Sequence, residues 1–436
     1  MTGTVGIRRE DKHEFERRVP LTPDAVRRLV DRHGLRVVVQ PSAIRVFEDD
    51  AYREAGAAID EDLSGCDAIF AVKEVPKDLL LPDKAYVFFS HTIKGQPHNM
   101  PLLRRLAELR CTLVDYERIV DGAGRRLVFF GRHAGLAGMI DTLSVLGRRL
   151  AARGVETPFL SLAMAHEFES LDAAKERVRE IGERLRRRPL PEALRPFVVG
   201  FTGDGNVSRG AQEIFDLLGV EEISPAELAS IPRDGSDARL LKVVLREGDL
   251  VEPVEDDAPF DLQEYYDHPE RYRSTFERHV VHLDVLVNAI YWTEAYPRLV
   301  TKSFLRAWFA REEAPRLLIV GDISCDIDGS IECTAKATTP DVPAFVYDPA
   351  TEAVRDGVDG PGLCLMTTDC LPCELPREAS ESFTAALEPF VAAVASLDPT
   401  KSFDTSKIPD PIRAATILWR GALTPDYGYL AEHLAP

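Results

Sequence analysis

The sequence predicts an α/β protein with parallel β-sheets, and three features of the chain support this prediction. Short apolar strands alternate with helical segments over the first third of the 436 residues. Further along, a glycine-rich turn joins an apolar strand directly to an amphipathic helix. The chain is 45% apolar and 29% charged, which is typical of a protein that buries a sizeable core. Its length is sufficient for two or three domains.

The first third begins with a predicted strand, TVGIRRE, followed by a helix that starts at Thr22-Pro23 with proline in its first position. The β-branched run LRVVVQ follows a glycine that can end this helix. Three more strand-like runs are DAIFAVKEVP, KAYVFFSH and CTLVDYE. Strands spaced by helices indicate βαβ units on a parallel sheet.

The middle and last thirds continue the same alternation. Glycines 131, 135 and 138 open a helix predicted to reach residue 150, and their small size would let it approach a neighbouring helix closely. A charged helix over 172–187 is followed by the break PLPEALRP. Strands are then predicted over 280–290, in RLLIVGDISCD and in PAFVYD, and helices over 379–394 and 411–419.

The charge and cysteine content exclude some classes of protein. A formal net charge of −19 argues against nucleic acid as a partner, because phosphate binding needs concentrated Lys and Arg. No run is long and apolar enough to span a membrane, and the first residues lack the apolar core of a signal peptide, so the expected location is the cytoplasm. Seven scattered cysteines favour reduced, buried thiols.

The glycine-rich turn predicts a dinucleotide site. Gly203, Gly205 and Gly210 follow the strand PFVVGF and lead into a helix, with Asn206 and Val207 in its first turn. The first glycine permits a tight turn, the second permits close approach of a pyrophosphate, and the helix N-terminus supplies free N–H groups. A tight turn with no ligand, in an ordinary α/β protein, is the alternative.

The choice of cofactor depends on the end of the next strand, where an NAD site needs a carboxylate for the ribose. The next strand-like run is GVEEIS, which ends at Ser224, with Glu222 just upstream. A serine tolerates a 2′-phosphate, so NADP(H) is favoured and NAD(H) is the alternative. The nearby segment 234–257 fits no pattern.

Lys73 and His91 end two neighbouring predicted strands, DAIFAVK and KAYVFFSH. The carboxyl ends of parallel strands face one cleft, so the two side chains are candidates for proton transfer. A half-desolvated lysine loses its proton more easily, and histidine titrates near neutrality. The alternative is a pair of ordinary surface or capping residues.

A basic cluster near the N-terminus stands out against the acidic background and could bind a small di- or tricarboxylate. The alternative is a set of surface salt bridges with the neighbouring Glu10, Asp11, Glu14 and Glu16. The cluster consists of Arg8, Arg9, Lys12, Arg17 and Arg18.

The CLPC segment has the spacing of a redox or zinc pair at Cys370 and Cys373. No second ligand pair stands at a suitable distance, so both residues are predicted to be structural thiols and no metal site is expected.

Nine segments in order resemble the saccharopine-forming and saccharopine-splitting dehydrogenases and, more distantly, alanine dehydrogenase and the proton-pumping transhydrogenase. They are IRREDK with ERRVPLTP, VKEVP, FFSHTIK, VDYE, FFGRHAGLAGM, FTGDGNVSRGA, DISCDIDGSIE and DCLPCELPREAS. Within this family, EYYDHPERY, NAIYW and GSIE resemble the lysine-ketoglutarate reductase domain.

The resemblance implies two Rossmann-like domains with parallel sheets and a cleft between them. A discontinuous substrate-binding domain would comprise 1–135 and 343–436, and the dinucleotide-binding domain, 136–342, would be inserted into it. A homo-oligomer is compatible with the resemblance.

The resemblance also implies roles for individual residues. Lys73 and His91 match the catalytic acid/base pair, and Arg18 matches an arginine that binds a substrate carboxylate. Glu74 and Glu117 match acidic residues that tune the site. Two further candidates for substrate binding are Arg9, from the basic cluster, and Lys94, from FFSHTIK. Asp322, in DISCD, would lie at the cofactor-facing end of its strand.

The implied activity is NADPH-dependent condensation of lysine with 2-oxoglutarate to saccharopine, in lysine degradation, with a separate saccharopine dehydrogenase acting next. One alternative is an NAD-dependent, lysine-forming saccharopine dehydrogenase. Another is a non-catalytic relative that senses an amino acid or nucleotide, although a sensor has no need of the Lys73 and His91 pair.

Overall fold

The chain forms two compact units in the computed structural model, which describes residues 3–255, 258–311, 315–398 and 400–434. The first unit combines Met1–Phe130 with Pro376–Pro436, and the second is the continuous segment Gly131–Leu375. Each unit is built around its own eight-stranded sheet. The chain is therefore an α/β protein with two mostly parallel sheets, in agreement with the predicted fold class.

The strands, in chain order, are β1 (Thr4–Ile7), β2 (Arg36–Val39), β3 (Ala58–Ile59), β4 (Ala68–Phe70), β5 (Ala85–Phe88), β6 (Thr112–Asp115), β7 (Phe197–Thr202), β8 (Glu221–Ile223), β9 (Leu240–Leu245), β10 (Val251–Pro253), β11 (Tyr272–Ser274), β12 (Val285–Asn288), β13 (Ile319–Asp322), β14 (Ala344–Tyr347), β15 (Val354–Asp356), β16 (Leu363–Met366), β17 (Thr416–Trp419) and β18 (Ala422–Leu423). The α-helices are α1 (Pro23–His33), α2 (Asp49–Glu54), α3 (Met100–Glu108), α4 (Gly131–Ala152), α5 (Leu171–Arg187), α6 (Asn206–Asp216), α7 (Glu247–Leu250), α8 (Leu262–Asp267), α9 (Glu277–Val280), α10 (Lys302–Phe309), α11 (Pro376–Ala395) and α12 (Asp410–Ala415).

The second boundary between the units differs from the sequence prediction. Residues 343–375 were assigned to the first domain, but they supply β14, β15 and β16 to the sheet of the second unit. The apolar run of β16 pairs in parallel with β13 and antiparallel with β14, so its backbone donors are satisfied inside that sheet. The first boundary, at Phe130, lies close to the predicted one.

The sheet of the first unit has the strand order β18-β17-β6-β5-β4-β1-β2-β3. The six strands from β1 to β6 are parallel, whereas β17 and β18 extend the sheet antiparallel. The prediction of a continuous helix over 411–419 is therefore wrong. The helix α12 ends at Ala415, and the β-branched and apolar run TILW pairs with β6 as β17.

The sheet of the second unit has the order β15-β14-β16-β13-β12-β7-β9-β8. Its central strands are covered on both faces, as parallel sheets require. Val199 and Phe201 of β7 belong to one buried cluster, and Val198 belongs to the other. The strand predicted over 280–290 is shorter than expected, because α9 and a turn occupy its first residues and β12 is Val285–Asn288.

Each sheet reverses its strand order once, and ligands of open parallel sheets bind at such a point, beyond the carboxyl ends of the strands. In the first unit the reversal lies between β1 and β4. In the second unit it lies between β7 and β12. These two strand pairs define where functional side chains are to be sought.

The helices α4 and α6 pack unusually closely, and glycines make this possible, as the sequence predicted for α4. A Cβ atom on Gly135 of α4 would lie 1.9 Å from the carbonyl oxygen of Val207. A Cβ atom on Gly210 of α6 would lie 2.2 Å from the carbonyl oxygen of Arg132. Both contacts are with backbone atoms that cannot rotate away. The third glycine of the turn motif therefore serves helix packing.

Two local predictions are confirmed. Thr22 is the N-cap of α1, its side chain accepts a hydrogen bond from the Ala25 N–H, and Pro23 occupies the first helical position. Gly34 ends the helix with a left-handed φ of 62°. Among the described residues, no helix combines the length and apolarity that crossing a membrane would take.

The close contact between α4 and α6 predicts the effect of a single methyl group. We expect Gly210→Ala to lower the free energy of unfolding by about 1–3 kcal/mol, because the backbone at Arg132 must move. Alanine is the better helix former by up to about 1 kcal/mol, so a net loss shows that packing outweighs propensity. Urea denaturation measures the change. Gly65→Ala is the control, since a Cβ atom there meets nothing within 4 Å. Equal stability of the two variants would contradict this prediction.

Candidate active site

Charged side chains collect at the carboxyl edge of the first sheet. Lys73 and Glu74 follow β4, His91 follows β5 and Glu117 follows β6. These three strands are neighbours and parallel, so their carboxyl ends meet at one edge. The two strands are adjacent, as the sequence predicted, but they end at Phe70 and Phe88, so Lys73 and His91 lie three residues beyond their ends.

Glu74 holds the imidazole of His91. The Nδ1 atom of His91 lies 3.0 Å from Oε1 of Glu74, and Nζ of Lys12 lies 3.1 Å from each oxygen of the same carboxylate. Burial acts to raise the pKa of Glu74. The hydrogen bond with His91 and the charges of His91 and Lys12 outweigh this effect and lower the pKa to about 2. The ionised carboxylate directs the Nδ1 hydrogen toward itself and leaves Nε2 for proton exchange.

The backbone at His91 is also constrained. Its φ is +53°, in the left-handed region that non-glycine residues seldom adopt. The side-chain amide of Asn99 donates to the His91 carbonyl at 2.7 Å, and the ring of Phe89 stacks on the imidazole at 6.4 Å between centroids. Such conformations persist where the surroundings impose them, and they are common at functional sites. The imidazole is 38% exposed, so a ligand can reach it.

Lys73 is partly buried beside groups of both signs. Burial lowers its pKa most, Arg18 and Lys12 lower it further, and the carboxylates of Glu16 and Glu74 oppose them. The net direction is downward, so Lys73 gives up its proton more readily than an exposed lysine does. A lysine in this state can act as a base.

Glu10 fixes the chain at Lys73. Its two carboxyl oxygens accept hydrogen bonds from the backbone N–H groups of Val72, at 2.6 Å, and Lys73, at 3.0 Å. Glu10 follows β1, so the contact joins the ends of β1 and β4 at the point where the strand order reverses. Burial and the charge of Glu16 raise the pKa of Glu10 to about 7. Sequence reasoning used Glu10 only as a surface salt-bridge partner.

Arg18 is buried and faces a carboxylate. Its Nε and Nη2 atoms donate to the two oxygens of Glu16, at 2.7 and 2.6 Å. Its guanidinium also lies over the ring of Phe130, with 4.2 Å to the centroid, and Phe130 stacks on Phe383 at 4.4 Å. This arrangement holds the guanidinium rigidly. A substrate carboxylate at Arg18 would share it with Glu16, which the sequence indicated only as a surface salt-bridge partner.

The other predicted substrate residues divide into two groups. Glu117 lies at the same edge and accepts a hydrogen bond from Arg126 at 2.8 Å, while Lys94 is exposed in the loop that follows His91. Arg9 instead donates to the carboxylate of Glu61, at 2.7 Å, beyond the end of β1. The first unit therefore brings Lys73, Glu74 and His91 together and directs Arg9 elsewhere.

Asp115 is a second buried carboxylate, and it orders the loops at the carboxyl edge of the first sheet. Asp115 ends β6 and accepts from the backbone N–H of Ser90 at 3.0 Å, from the Ser90 hydroxyl, and from the N–H of Glu117 at 2.8 Å. Burial raises its pKa to about 6. Asp115 thereby positions the segments that carry His91 and Glu117. A carboxylate at or soon after the end of an apolar strand was the available signal for both Asp115 and Glu10.

The glycine turn of the second unit has the geometry that pyrophosphate binding requires. Gly203 follows β7 with φ +75°, and its N–H donates to the carbonyl of Leu245 at 2.8 Å. Gly205 is the N-cap of α6 and supplies no side chain to the helix terminus. A Cβ atom at Gly205 would meet nothing within 4 Å. The first N–H groups of α6, at Asn206 and Val207, are thus suited to holding phosphate oxygens.

The sheet order corrects the residue predicted at the ribose. Ser224 directly follows β8, but β8 is the edge strand and β9 lies between it and β7. The Ser224 hydroxyl already donates to Glu227 at 2.6 Å. The prediction took β8 for the neighbour of β7 because it comes next in the chain. The residue after β9 is Arg246.

Arg246 lies against the glycine turn. Its Nη2 atom is 3.3 Å from Oδ2 of Asp204, and Oδ1 of the same carboxylate accepts from Nε of Arg209 at 3.2 Å. An arginine beside the turn can accommodate a 2′-phosphate, whereas the 2′-OH of NAD calls for a carboxylate. Glu222, the carboxylate considered from the sequence, pairs instead with Lys242 at 3.0 Å.

Asp322 ends β13 but is buried within a polar network. Asn288, at the end of β12, donates to Oδ1 of Asp322 at 2.8 Å and to Ser330 at 2.9 Å, and it accepts from Thr202 at 2.9 Å. Thr334 donates to Oδ2 of Asp322 at 2.5 Å. Burial raises the pKa of Asp322 to about 6. The Asp322 carboxylate therefore links the ends of the central strands and is not accessible to a ligand.

Cys370 and Cys373 are joined by a disulfide, which corrects the prediction of two thiols. A short 3-10 helix, Leu371–Glu374, brings the two Cα atoms to 5.6 Å, a separation that a disulfide can bridge. The other five cysteines are free, and Cys325 is the partly exposed one.

Comparison with known proteins agrees with this architecture. Residues 6–137 match the alanine dehydrogenase/PNT N-terminal domain. The chain is 40% identical to alpha-aminoadipic semialdehyde synthase of Arabidopsis thaliana, over 98% of the chain and 41% of that protein. It is 27% identical to a saccharopine dehydrogenase [NAD(+), L-lysine-forming] of Yarrowia lipolytica, over 89% of the chain and 92% of that protein.

The chain is thus similar to proteins with alanine dehydrogenase-type N-terminal domains and to saccharopine dehydrogenases. A solved structure of L-alanine dehydrogenase has the same fold, with a TM-score of 0.61 at 18% identity, and the alignment covers 99% of this chain and all of that one. Like the Arabidopsis protein, the relative from Bos taurus, named mitochondrial, is matched over less than half of its length, 47%.

The buried carboxyl of Glu10 makes the stability of the fold depend on pH. Its folded-state pKa of about 7 lies above the unfolded value of 4.5, so between these values the folded chain binds more protons than the unfolded chain. We therefore expect stability to fall as pH rises from about 4.5 to about 7, with a slope of at most about 1.4 kcal/mol per pH unit. Glu10→Gln should reduce this slope, as followed by denaturation at several pH values. Glu54→Gln, on the exposed surface, is the control. An unchanged slope in Glu10→Gln would refute the assignment.

Proposed function

We propose that this chain catalyses the NADPH-dependent condensation of lysine with 2-oxoglutarate to saccharopine. The observation that carries the proposal is the group formed by Lys73 and the His91–Glu74 pair at the carboxyl ends of two adjacent strands. The names of the relatives, a semialdehyde synthase and saccharopine dehydrogenases, support this substrate class. Oxidoreduction with a nicotinamide cofactor is common to dehydrogenases of this kind.

The reaction requires several proton transfers before reduction, and two of them need an acceptor or a donor at the site. The ε-ammonium of lysine must lose a proton before the amine can attack the 2-oxo carbon. Lys73, whose pKa is lowered mainly by burial, is the proposed acceptor. The carbinolamine must then lose its hydroxyl as water. His91 is the proposed donor, because the Glu74 carboxylate orients its imidazole through Nδ1 and the ring is partly exposed.

The buried arginine and the edge carboxylates have positioning roles in this proposal. Arg18, held by Glu16, offers a rigid positive charge for a substrate carboxylate. Glu117 and Lys94 lie on the segments after β6 and β5 and would tune or extend the site. When bound, the cofactor supplies the hydride that reduces the imine.

The first unit is accordingly proposed to bind the substrates, and the second to bind the cofactor. In the second unit, Gly203, Gly205 and the first N–H groups of α6 would hold the pyrophosphate. Arg246 would bind the 2′-phosphate, and this supports NADP(H) over NAD(H).

The reverse reaction with NAD, which yields lysine, is the second candidate. It is favoured by the match to the fungal saccharopine dehydrogenases, one of which is covered over 92% of its length. The same proton-transfer pair would serve both directions. Cofactor preference and relative rates in the two directions distinguish the candidates.

Substitution of the proposed acid and base should abolish most turnover. We expect NADPH consumption only when lysine and 2-oxoglutarate are both present, and a loss of roughly 10²–10⁴-fold in kcat for Lys73→Met and for His91→Ala. Absorbance of NADPH measures the rate, and fluorescence titration checks that both variants still bind NADPH.

The matched controls are Lys77→Met and His98→Ala, which remove exposed side chains of the same types from the same unit. These variants should retain full activity. Turnover with either substrate alone, or unchanged kcat in the Lys73 and His91 variants, would eliminate the proposed reaction or the proposed roles.

Removal of the Arg246 guanidinium should change cofactor preference. A charge-assisted contact to phosphate is worth roughly 1.5–3 kcal/mol, so we expect Arg246→Ser to bind NADPH about 10- to 100-fold more weakly, with little change for NADH. Equilibrium titration of each cofactor measures this directly. Arg278→Ser, an exposed arginine elsewhere in the unit, is the control. An unchanged ratio of the two affinities would remove Arg246 from the cofactor site.

A further inference from the structure

A second concave site lies at the opposite end of β7 from the glycine turn. The cavity has a volume of about 740 Å³ and lies between the end of α5 and the loop that precedes β7. The strand separates the two ends by about 17 Å, at roughly 3.3 Å per residue. We call this space the arginine cavity. It is separate from every residue assigned above to substrate or cofactor.

The lining of the arginine cavity is strongly basic. Arg184, Arg187, Arg188 and Arg195 face it, and Glu156 is the acidic residue in its lining. The chain as a whole carries a formal net charge of −19, so this concentration of positive charge departs sharply from the average surface. A concave site lined by one sign of charge attracts ions of the other sign.

These guanidiniums lack the carboxylate partners that many arginines of this chain have. Among the residues that the structure describes, Arg184, Arg188 and Arg195 form no ion pair with a carboxylate. Arg187 lies 3.5 Å from Glu183, a loose contact. Glu156 and Glu183 therefore compensate only part of the positive charge of the cavity.

Two of the arginines are held in place by neutral acceptors on different segments. The Nη1 atom of Arg184 donates to the Ser161 hydroxyl at 2.9 Å, and Nε of Arg195 donates to the Leu190 carbonyl. Each guanidinium keeps further N–H groups for a ligand. Groups fixed in advance lose less conformational entropy when an anion binds.

The carboxyl end of α5 explains only part of this arrangement. A helix C-terminus favours cations, and Arg184 and Arg187 lie in the last turn. Arg195 comes from a different segment, after the 3-10 helix Glu192–Leu194, and yet faces the same space. Convergence of separate segments on one cavity is the property of a binding site rather than of a solvated helix end.

Apart from Thr157, the remaining lining residues are apolar. Pro158, Pro189, Leu190 and Pro191 line the cavity. A volume of about 740 Å³ falls within the range of roughly 300–1,000 Å³ that holds small organic ligands. Guanidinium groups match phosphate oxygens in two-point geometry, and several of them around one cavity suit a ligand with several phosphate oxygens.

We propose that the arginine cavity binds a small organic molecule carrying two or more phosphate groups. The guanidiniums bind the phosphates, and the proline and leucine wall contacts the organic part. This site belongs to the second unit alone, and its existence does not depend on the reaction proposed for the first unit.

Calorimetric titration of the whole chain with magnesium-free ATP, inorganic tripolyphosphate and citrate tests this site. We expect both phosphate compounds to bind, with ATP tighter than tripolyphosphate, and citrate to bind at least tenfold more weakly than either. The double variant Arg188→Ser/Arg195→Ser should weaken both phosphate compounds at least tenfold and leave NADPH affinity unchanged.

Arg186→Ser is the matched control, because Arg186 carries the same charge at the same helix end but donates to the Leu218 carbonyl. Its affinities should equal those of the unmodified chain. No binding of ATP at millimolar concentration, equal weakening in the Arg186 variant, or citrate binding as tight as tripolyphosphate would each overturn the proposal. Equal melting temperatures of the variants confirm that folding is intact.

Discussion

The contact between the Glu10 carboxyl and the backbone N–H groups of Val72 and Lys73 is the interaction on which the candidate site depends. It joins the ends of β1 and β4, where the strand order of the first sheet reverses and the backbone donors leave the sheet. A buried donor without a partner costs roughly 1–3 kcal/mol, so this carboxyl satisfies a strong requirement. Because the backbone N–H of Lys73 is hydrogen-bonded to Glu10, the backbone from which its side chain starts is fixed relative to the sheet.

The charged groups around Lys73 act on its proton and on the orientation of His91. Burial and the neighbouring cations Arg18 and Lys12 lower the pKa of the Lys73 ammonium. The Glu74 carboxylate, whose pKa is lowered to about 2, holds the His91 imidazole at Nδ1. The same few charges produce both effects, since Glu74 contacts both Lys12 and His91.

In the second unit, sheet order decides which side chains can meet a cofactor. The short edge strand β8 follows β7 in the chain, but β9 lies beside β7, so Arg246 rather than Ser224 reaches the glycine turn. Close packing of α4 on α6 keeps the helix N-terminus at that turn, and it depends on Gly135 and Gly210. At the opposite end of β7, only partly compensated guanidiniums form the arginine cavity.

The sequence by itself determined the fold class, the glycine turn and the placement of Lys73 and His91 at strand ends. These features are local, because apolar periodicity, a capping threonine at position 22 and glycine spacing act within a few residues. Only the tertiary structure decided the second unit boundary, the position of Arg246 and the partners Glu10 and Glu16. Strand order and buried carboxylate contacts join residues far apart in the chain, and no local pattern encodes such pairings.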